Sequence, residues 1–160
     1  MDGPIQNGSA SPIAVEALFP SRVTAAVKPH ESASLALIID DEPAIRAALS
    51  RFFSRKGWSV EEASDGAAGL ALLAQYGDGI DMVISDLRMP GFSGIRLHDQ
   101  LVEEHSDLLE RIVFTTGDVV SGEAAGFVRR TRCTVLQKPF ELCALDQIIT
   151  RLQTAQLRSA

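Results

Sequence analysis

From Ser34 onward, short apolar runs alternate with stretches whose apolar positions recur every three to four residues. The run LALII, Leu35 to Ile39, is continuous rather than alternating, which fits a strand covered on both faces. A helix is predicted over about 43–56, where Ile45, Leu49 and Phe52 share a face at i, i+4 and i+7. Pro43 suits its first turn, where a backbone N–H would lack a partner in any case, and Gly57 ends it. WSVEEA is a second strand and DGAAGLALLAQ a second helix; IDMVISD is a third strand and GIRLHDQLVEEH a third helix. RIVFTTG is a fourth strand, followed by SGEAAGFVRRT, a helix with little apolar patterning. CTVLQK is a fifth strand, and ELCALDQIITRLQTA closes the series with Leu142, Leu145, Ile149 and Leu152 on one face.

Strands that each lead into a helix need crossover connections, and those give a parallel sheet with helices on both faces, an α/β fold. In such sheets ligands bind beyond the carboxyl ends of the strands. Chemistry is therefore sought in the residues just after each strand. Asp40, Asp41 and Glu42 follow the first, Asp86 ends the third, Thr115, Thr116 and Gly117 end the fourth, and Lys138 and Pro139 end the fifth. The second ends in Ala63, Ser64 and Asp65, with no evident role.

If the first and third strands are neighbours, Asp40, Asp41 and Asp86 converge. Carboxylates at close range repel, and a hard divalent cation removes that penalty. Mg²⁺ takes one or two protein carboxylates and keeps room for water and a phosphate oxygen. Lys138 adds a point charge and a threonine adds a hydroxyl, which is equipment for phosphoryl transfer. Neither a Walker A loop nor GxGxxG follows the first strand, so this is not a nucleotide cradle. No Ser-His-Asp or Cys-His arrangement is evident, which leaves a carboxylate nucleophile. Asp86 fits, standing alone between an apolar strand and LRMPGFSG, a turn containing Pro90, Gly91 and Gly94. Each feature also has an ordinary structural reading, since acids before a helix cap it and suit its dipole. Their joint placement at several strand ends is what carries weight.

Composition narrows the partners. The chain has 160 residues, room for one domain, and a hydrophobic content of 46% supports a core. A net charge of -6 argues against binding nucleic acid, and Arg129, Arg130 and Arg132 read as a solvated helix end. Cys133 and Cys143 form no CxxC pair and read as small buried hydrophobes rather than zinc ligands or a disulfide. His98 and His105 read as surface residues of a helix, and His30 falls in the leader. No apolar run approaches the ~20 residues of a membrane span, and MDGPIQNGSASP lacks the basic start of a signal peptide, so a cytoplasmic protein is expected. Residues 1–33, with Pro4, Pro12, Pro20 and Pro29, read as a flexible tail or linker, in which IAVEALF could form one helical turn.

From Ser34 to about Thr154 the chain resembles the receiver domain of two-component response regulators. LIIDDEPAIR, VISDLRMPGFSG, IVFTTGD and LQKPF carry the resemblance, in order and at similar spacings. It implies a flavodoxin-like (βα)5 three-layer fold over residues 34–157, with strand order 2-1-3-4-5. It implies that Asp86 is the phosphoacceptor, loaded from phosphohistidine on a histidine kinase or a histidine phosphotransfer protein. Asp41 and Asp86 would then ligate Mg²⁺, Asp40 would act through water, and the backbone carbonyl of Arg88 would be a further ligand. Thr116 matches the switch hydroxyl, with Thr115 pointing the other way. Lys138 would pair with a phosphoryl oxygen, across a cis Lys138–Pro139 bond.

Val135 stands where many receivers carry Tyr or Phe, so the concerted threonine–aromatic switch lacks its aromatic member. Arg88 and Asp118 flank the site at positions that modulate hydrolysis in this family. KPFEL and FTTGD look most like receivers attached to hybrid histidine kinases, which is the second reading, although no kinase core lies in this sequence. A phosphorylation-independent interaction module is the third, and the intact acids, threonine and lysine count against it. A haloacid-dehalogenase-type phosphatase would want an Asp where Arg88 stands. The expectation is therefore self-phosphorylation and self-dephosphorylation without turnover of an external substrate. No output domain follows the last helix in this sequence, so signal would leave through a partner, onward phosphotransfer or a linked kinase. The pattern leaves dimerisation through the last helices open.

Overall fold

A computed structural model describes residues 33–120 and 122–159. All but the last residue of the expected tail or linker lies outside them, as do IAVEALF and His30. The elements alternate as β1 (Leu35–Ile39), α1 (Pro43–Arg55), β2 (Ser59–Ala63), α2 (Gly66–Tyr76), β3 (Met82–Asp86), α3 (Gly94–Glu104), β4 (Ile112–Thr116), α4 (Gly122–Arg130), β5 (Thr134–Gln137) and α5 (Leu142–Ser159). Short 3-10 turns at Gly77–Gly79 and Ser106–Arg111 lead into β3 and β4. The strands form one parallel sheet in the order β2-β1-β3-β4-β5, as the resemblance implied.

Successive side chains of a strand point to opposite faces, so a strand buried on both must be apolar throughout. Leu37, Ile39, Val83, Ile112 and Phe114 pack on one side with Leu73, Leu97, Leu101 and Phe127 of α2, α3 and α4. Ala36, Ile38, Met82, Ile84 and Val113 pack on the other with Leu49, Phe53, Leu145 and Ile149 of α1 and α5. The alternation carries on to the strand ends. Asp40 continues the parity of Ala36 and Ile38, and Asp86 that of Met82 and Ile84, so both acids lie toward α1 and α5. Thr115 shares that side with Val113, while Thr116 shares the opposite side with Phe114.

Several readings change. In α1 Leu49 and Phe53 are buried, while Ile45 and Phe52 are half-buried against the same core. Helix α4 is more clearly two-faced than expected: Ala124, Ala125 and Phe127 are buried while Glu123, Arg129 and Arg130 face solvent. Helix α5 runs past Ala155 to Ser159, and Leu142, at its first position, is 42% exposed rather than packed with Leu145 and Ile149. Cys143 is exposed and Cys133 half-buried, so neither is the buried hydrophobe expected. Arg129, Arg130 and Arg132 are solvated, as read from the sequence.

His98 is the largest correction. It is 8% exposed, wedged edge-on against Phe127 at 4.9 Å and Phe114 at 6.1 Å between ring centroids. Its polar need is met locally, by the Asp99 carboxylate 3.1 Å from Nδ1. No helix among the described residues is long and apolar enough to cross a membrane.

Candidate functional site

At the carboxyl end of β1 the ladder ends on Asp40, which side chains hold as well. Its N–H donates to the Ala63 carbonyl (3.1 Å), and its own carbonyl accepts from Arg46 Nη1 (2.7 Å). Oδ1 accepts from the Glu42 N–H (2.9 Å) and Oδ2 from Lys138 Nζ (2.9 Å). Asp40 is 2% exposed, whereas Asp41 opens to solvent. Asp86, 6% exposed, ends β3 with Oδ1 accepting from the Arg88 N–H (3.1 Å) and Oδ2 from Lys138 Nζ (3.2 Å). Lys138 also reaches Glu42 Oε1 at 3.4 Å.

Backbone bonds fix the loops that carry these groups. The Leu87 N–H donates to the Thr115 carbonyl (2.8 Å), and the Lys138 N–H to the Thr116 carbonyl (2.7 Å). The Lys138–Pro139 bond is cis, as expected from the resemblance. Gly94 allows α3 to start directly against the end of β3. A Cβ there would collide with the Asp86 carbonyl oxygen and stand 2.9 Å from Leu87 Cα, both backbone atoms that cannot step aside.

Asp40, Asp41 and Asp86 each bring an oxygen within 4.8 Å of the others. Burial pushes the Asp86 carboxyl up, the Arg88 N–H and Lys138 pull it back, and Asp40 adds to the rise; the net direction is upward. For Lys138 burial opposes the charge, but Asp40 and Asp86 outweigh it and hold the ammonium above its ordinary range. One cation therefore answers several acids. The remaining donors are all carboxylate oxygens, a set that suits a hard cation such as Mg²⁺ and not a thiophilic metal.

The structure thus brings together Asp40, Asp41, Asp86 and Lys138. Thr116 ends the neighbouring strand fully buried, but its hydroxyl is turned to the next loop. It donates to the Asp118 carbonyl and accepts from the Asp118 N–H, both at 3.3 Å. Asp118 Oδ1 in turn accepts from the Val120 N–H at 2.9 Å. Arg88 is exposed and contributes its N–H to Asp86, as above. Val135 is half-buried in the layer that holds Phe114 and Phe127.

Sequence reasoning missed Arg46 and Gly94, and it gave Glu42 no contact with Lys138. Arg46 lay within LIIDDEPAIR without an assigned task, and Gly94 read as an ordinary turn glycine. Beside the acids, Ile45, Ala48, Leu49, Pro139, Phe140 and Leu142 line a surface groove of about 470 Å³ that ends at Lys138 and Glu42.

A family model described as the response regulator receiver domain matches residues 36–150. The chain is 36% identical over 123 residues to the response regulator MprA of Mycolicibacterium vanbaalenii, covering 77% of this chain and 50% of that protein. It is 28% identical over 120 residues to the sensor kinase CckA of Brucella abortus, covering 75% of this chain and 12% of the kinase. The chain therefore spans about half or less of these relatives' length. A solved receiver domain protein from Clostridium thermocellum superposes with a TM-score of 0.69 at 22% identity, covering 79% of this chain and 99% of that one, and shares the fold.

Proposed function

The chain belongs to the response regulator receiver domain family of two-component systems, and from that premise we propose that it is a phosphoaccepting module with Asp86 as the acceptor. The observation that carries this reading is the pairing of Asp86 with Lys138 at 3.2 Å inside a cluster of acids. A carboxylate oxygen of Asp86 attacks the phosphorus of a phosphohistidine. The phosphorus–nitrogen bond breaks, and the imidazole leaves.

Each residue has a part that its position supports. Asp41 and Asp86, with the backbone carbonyl of Arg88, would hold Mg²⁺. When bound, the ion would neutralise the acids and the phosphoryl oxygens during transfer. Asp40 is buried beneath the exposed Asp41, which favours its acting on the ion through water. Lys138 moves its charge from Asp86 to a phosphoryl oxygen. The Thr116 hydroxyl leaves the Asp118 backbone to donate to another. With Val135 in β5, that threonine movement has no aromatic partner to draw inward.

The donor is a histidine kinase or a histidine phosphotransfer protein, and the apolar groove ending at Lys138 offers a surface beside the acceptor on which it can seat. The chain turns over no external substrate in this reading; it loads and unloads its own aspartate. The likeness to the sensor kinase CckA favours, as a second reading, a receiver that serves a hybrid kinase.

Intact-mass analysis tests the assignment after incubation with Mg²⁺ and acetyl phosphate. One phosphoryl adduct is expected on the wild type and none on Asp86→Ala. An adduct that survives the substitution, or one that forms equally well in EDTA, would overturn it.

A further inference from the structure

The acids and Lys138 account for the face of the site, but a second cation stands behind it. Arg46 projects from the first turns of α1 with a mostly buried side chain. Its Nη1 donates to the Asp40 carbonyl at 2.7 Å, while Nε lies 3.6 Å from Glu62 Oε2 on β2. Arg46 so ties together α1, the end of β1 and the edge strand. It touches none of the carboxylate oxygens of Asp40, Asp41 or Asp86 that would receive an ion.

We propose that Arg46 is a positioning residue for the Mg²⁺ site, holding the Asp40–Asp41 peptide so that the Asp41 carboxylate faces Asp86. The proposal rests on the reading of these acids as a Mg²⁺ and phosphoryl site. The Asp40 carbonyl and the Asp41 N–H lie in one rigid plane. Fixing the carbonyl oxygen therefore sets the direction in which Asp41 leaves the strand. The sheet does not do this, because its last bond on β1 is the Asp40 N–H to Ala63. Repulsion among acids within 4.8 Å favours the opposite outcome, with the exposed Asp41 swinging out to water.

A guanidinium suits the task because its planar fork serves two acceptors from one fixed position. Glu62 answers its charge, so Arg46 adds little positive field that would oppose a cation at the acids. The contribution is geometric. Lys138 cannot substitute, since it lies among the ligand oxygens and must yield when an ion and a phosphoryl group arrive.

The test is a Mg²⁺ titration by calorimetry of the full chain, comparing wild type with Arg46→Met, Arg46→Gln and Arg46→Lys. Arg46→Met and Arg46→Gln are expected to weaken Mg²⁺ about 10-fold, the scale on which groups that orient a metal's ligands act. Arg46→Lys, which keeps a charged donor without the fork, is expected to recover part of the loss. With acetyl phosphate, the Mg²⁺ concentration giving half the maximal loading rate should rise in step, while the rate at saturating Mg²⁺ stays near wild type. A purely structural role would lower the melting temperature and leave the Mg²⁺ midpoint unmoved, and that result overturns the proposal. Should Arg46→Met not fold, Arg46→Gln decides by the same criterion. Wild-type chain that takes up no Mg²⁺ would instead refute the reading of the site itself, and it would do so before any variant is compared.

Discussion

Lys138 and Asp86 are 52 residues apart in the chain, yet the lysine ammonium stands 3.2 Å from Asp86 Oδ2. The contact is strand-end geometry. Asp86 closes β3, Lys138 follows β5, and β4 between them fixes both loops through the Thr115 and Thr116 carbonyls. One ammonium shared between Asp86 and Asp40 offsets part of the repulsion among the acids and leaves the cluster acid-rich.

Removing that ammonium should therefore cost stability as well as loading. Lys138→Ala leaves two largely buried carboxylates without their cation. The metal-free domain is expected to lose about 1–3 kcal/mol, below the range for a fully enclosed pair because the site keeps access to solvent. Mg²⁺ answers the same acids, so the gap should narrow when the ion is added. Urea denaturation with and without Mg²⁺ measures this; a gap that is unchanged by Mg²⁺ would mean that the two cations do not serve the same carboxylates.

Asp86 is expected to make stability depend on pH in the metal-free state. Its carboxyl is raised in the folded chain, chiefly by burial. A raised acid contributes stability below its unfolded pKa of about 3.9 and loses it as pH rises through the folded value. At pH 7 the ionised group is thus a net cost. Asp86→Asn removes that cost and should raise the melting temperature in EDTA at pH 7. The advantage should shrink as pH falls and wild-type Asp86 takes up its own proton. A variant less stable than wild type in EDTA at pH 7 would contradict the sign.

Adjacent threonines should respond in opposite ways. Thr115 is buried toward α1 and α5, and its Oγ1 has no hydrogen-bond partner among the described residues. Thr115→Val, of the same shape, is expected to leave phosphorylation intact and to add up to about 1 kcal/mol of stability by removing an unpaired buried hydroxyl. Thr116→Val breaks the two bonds to Asp118 and removes the hydroxyl assigned to the phosphoryl group, so loading should slow. Thermal melts and acetyl phosphate time courses on both variants separate them; slowed loading in Thr115→Val would show that the wrong threonine was assigned.

The sequence by itself determined the order of elements, the parallel sheet and the residues at its carboxyl end. Those rest on local rules, since strand runs and helical spacing repeat along the chain whatever lies across from them. It also separated Thr115 from Thr116, because alternation along one strand is a local fact. The motif resemblance then supplied roles for Asp40, Asp41, Asp86 and Lys138, and the structure brings those four together.

Only the tertiary structure decided what depends on the neighbour across the gap. His98 lies on a helix between Leu97 and Asp99, and it is Phe114 and Phe127, from other elements, that enclose it. Leu142 continues an apolar stripe but begins its helix before the sheet can cover it. Gly94 is required by the Asp86 carbonyl, and Arg46 acquires its place from Asp40 and Glu62 together. Burial and hydrogen-bond partnership are properties of pairs brought together by folding, and a periodic pattern along one strand or helix does not contain the other half of the pair.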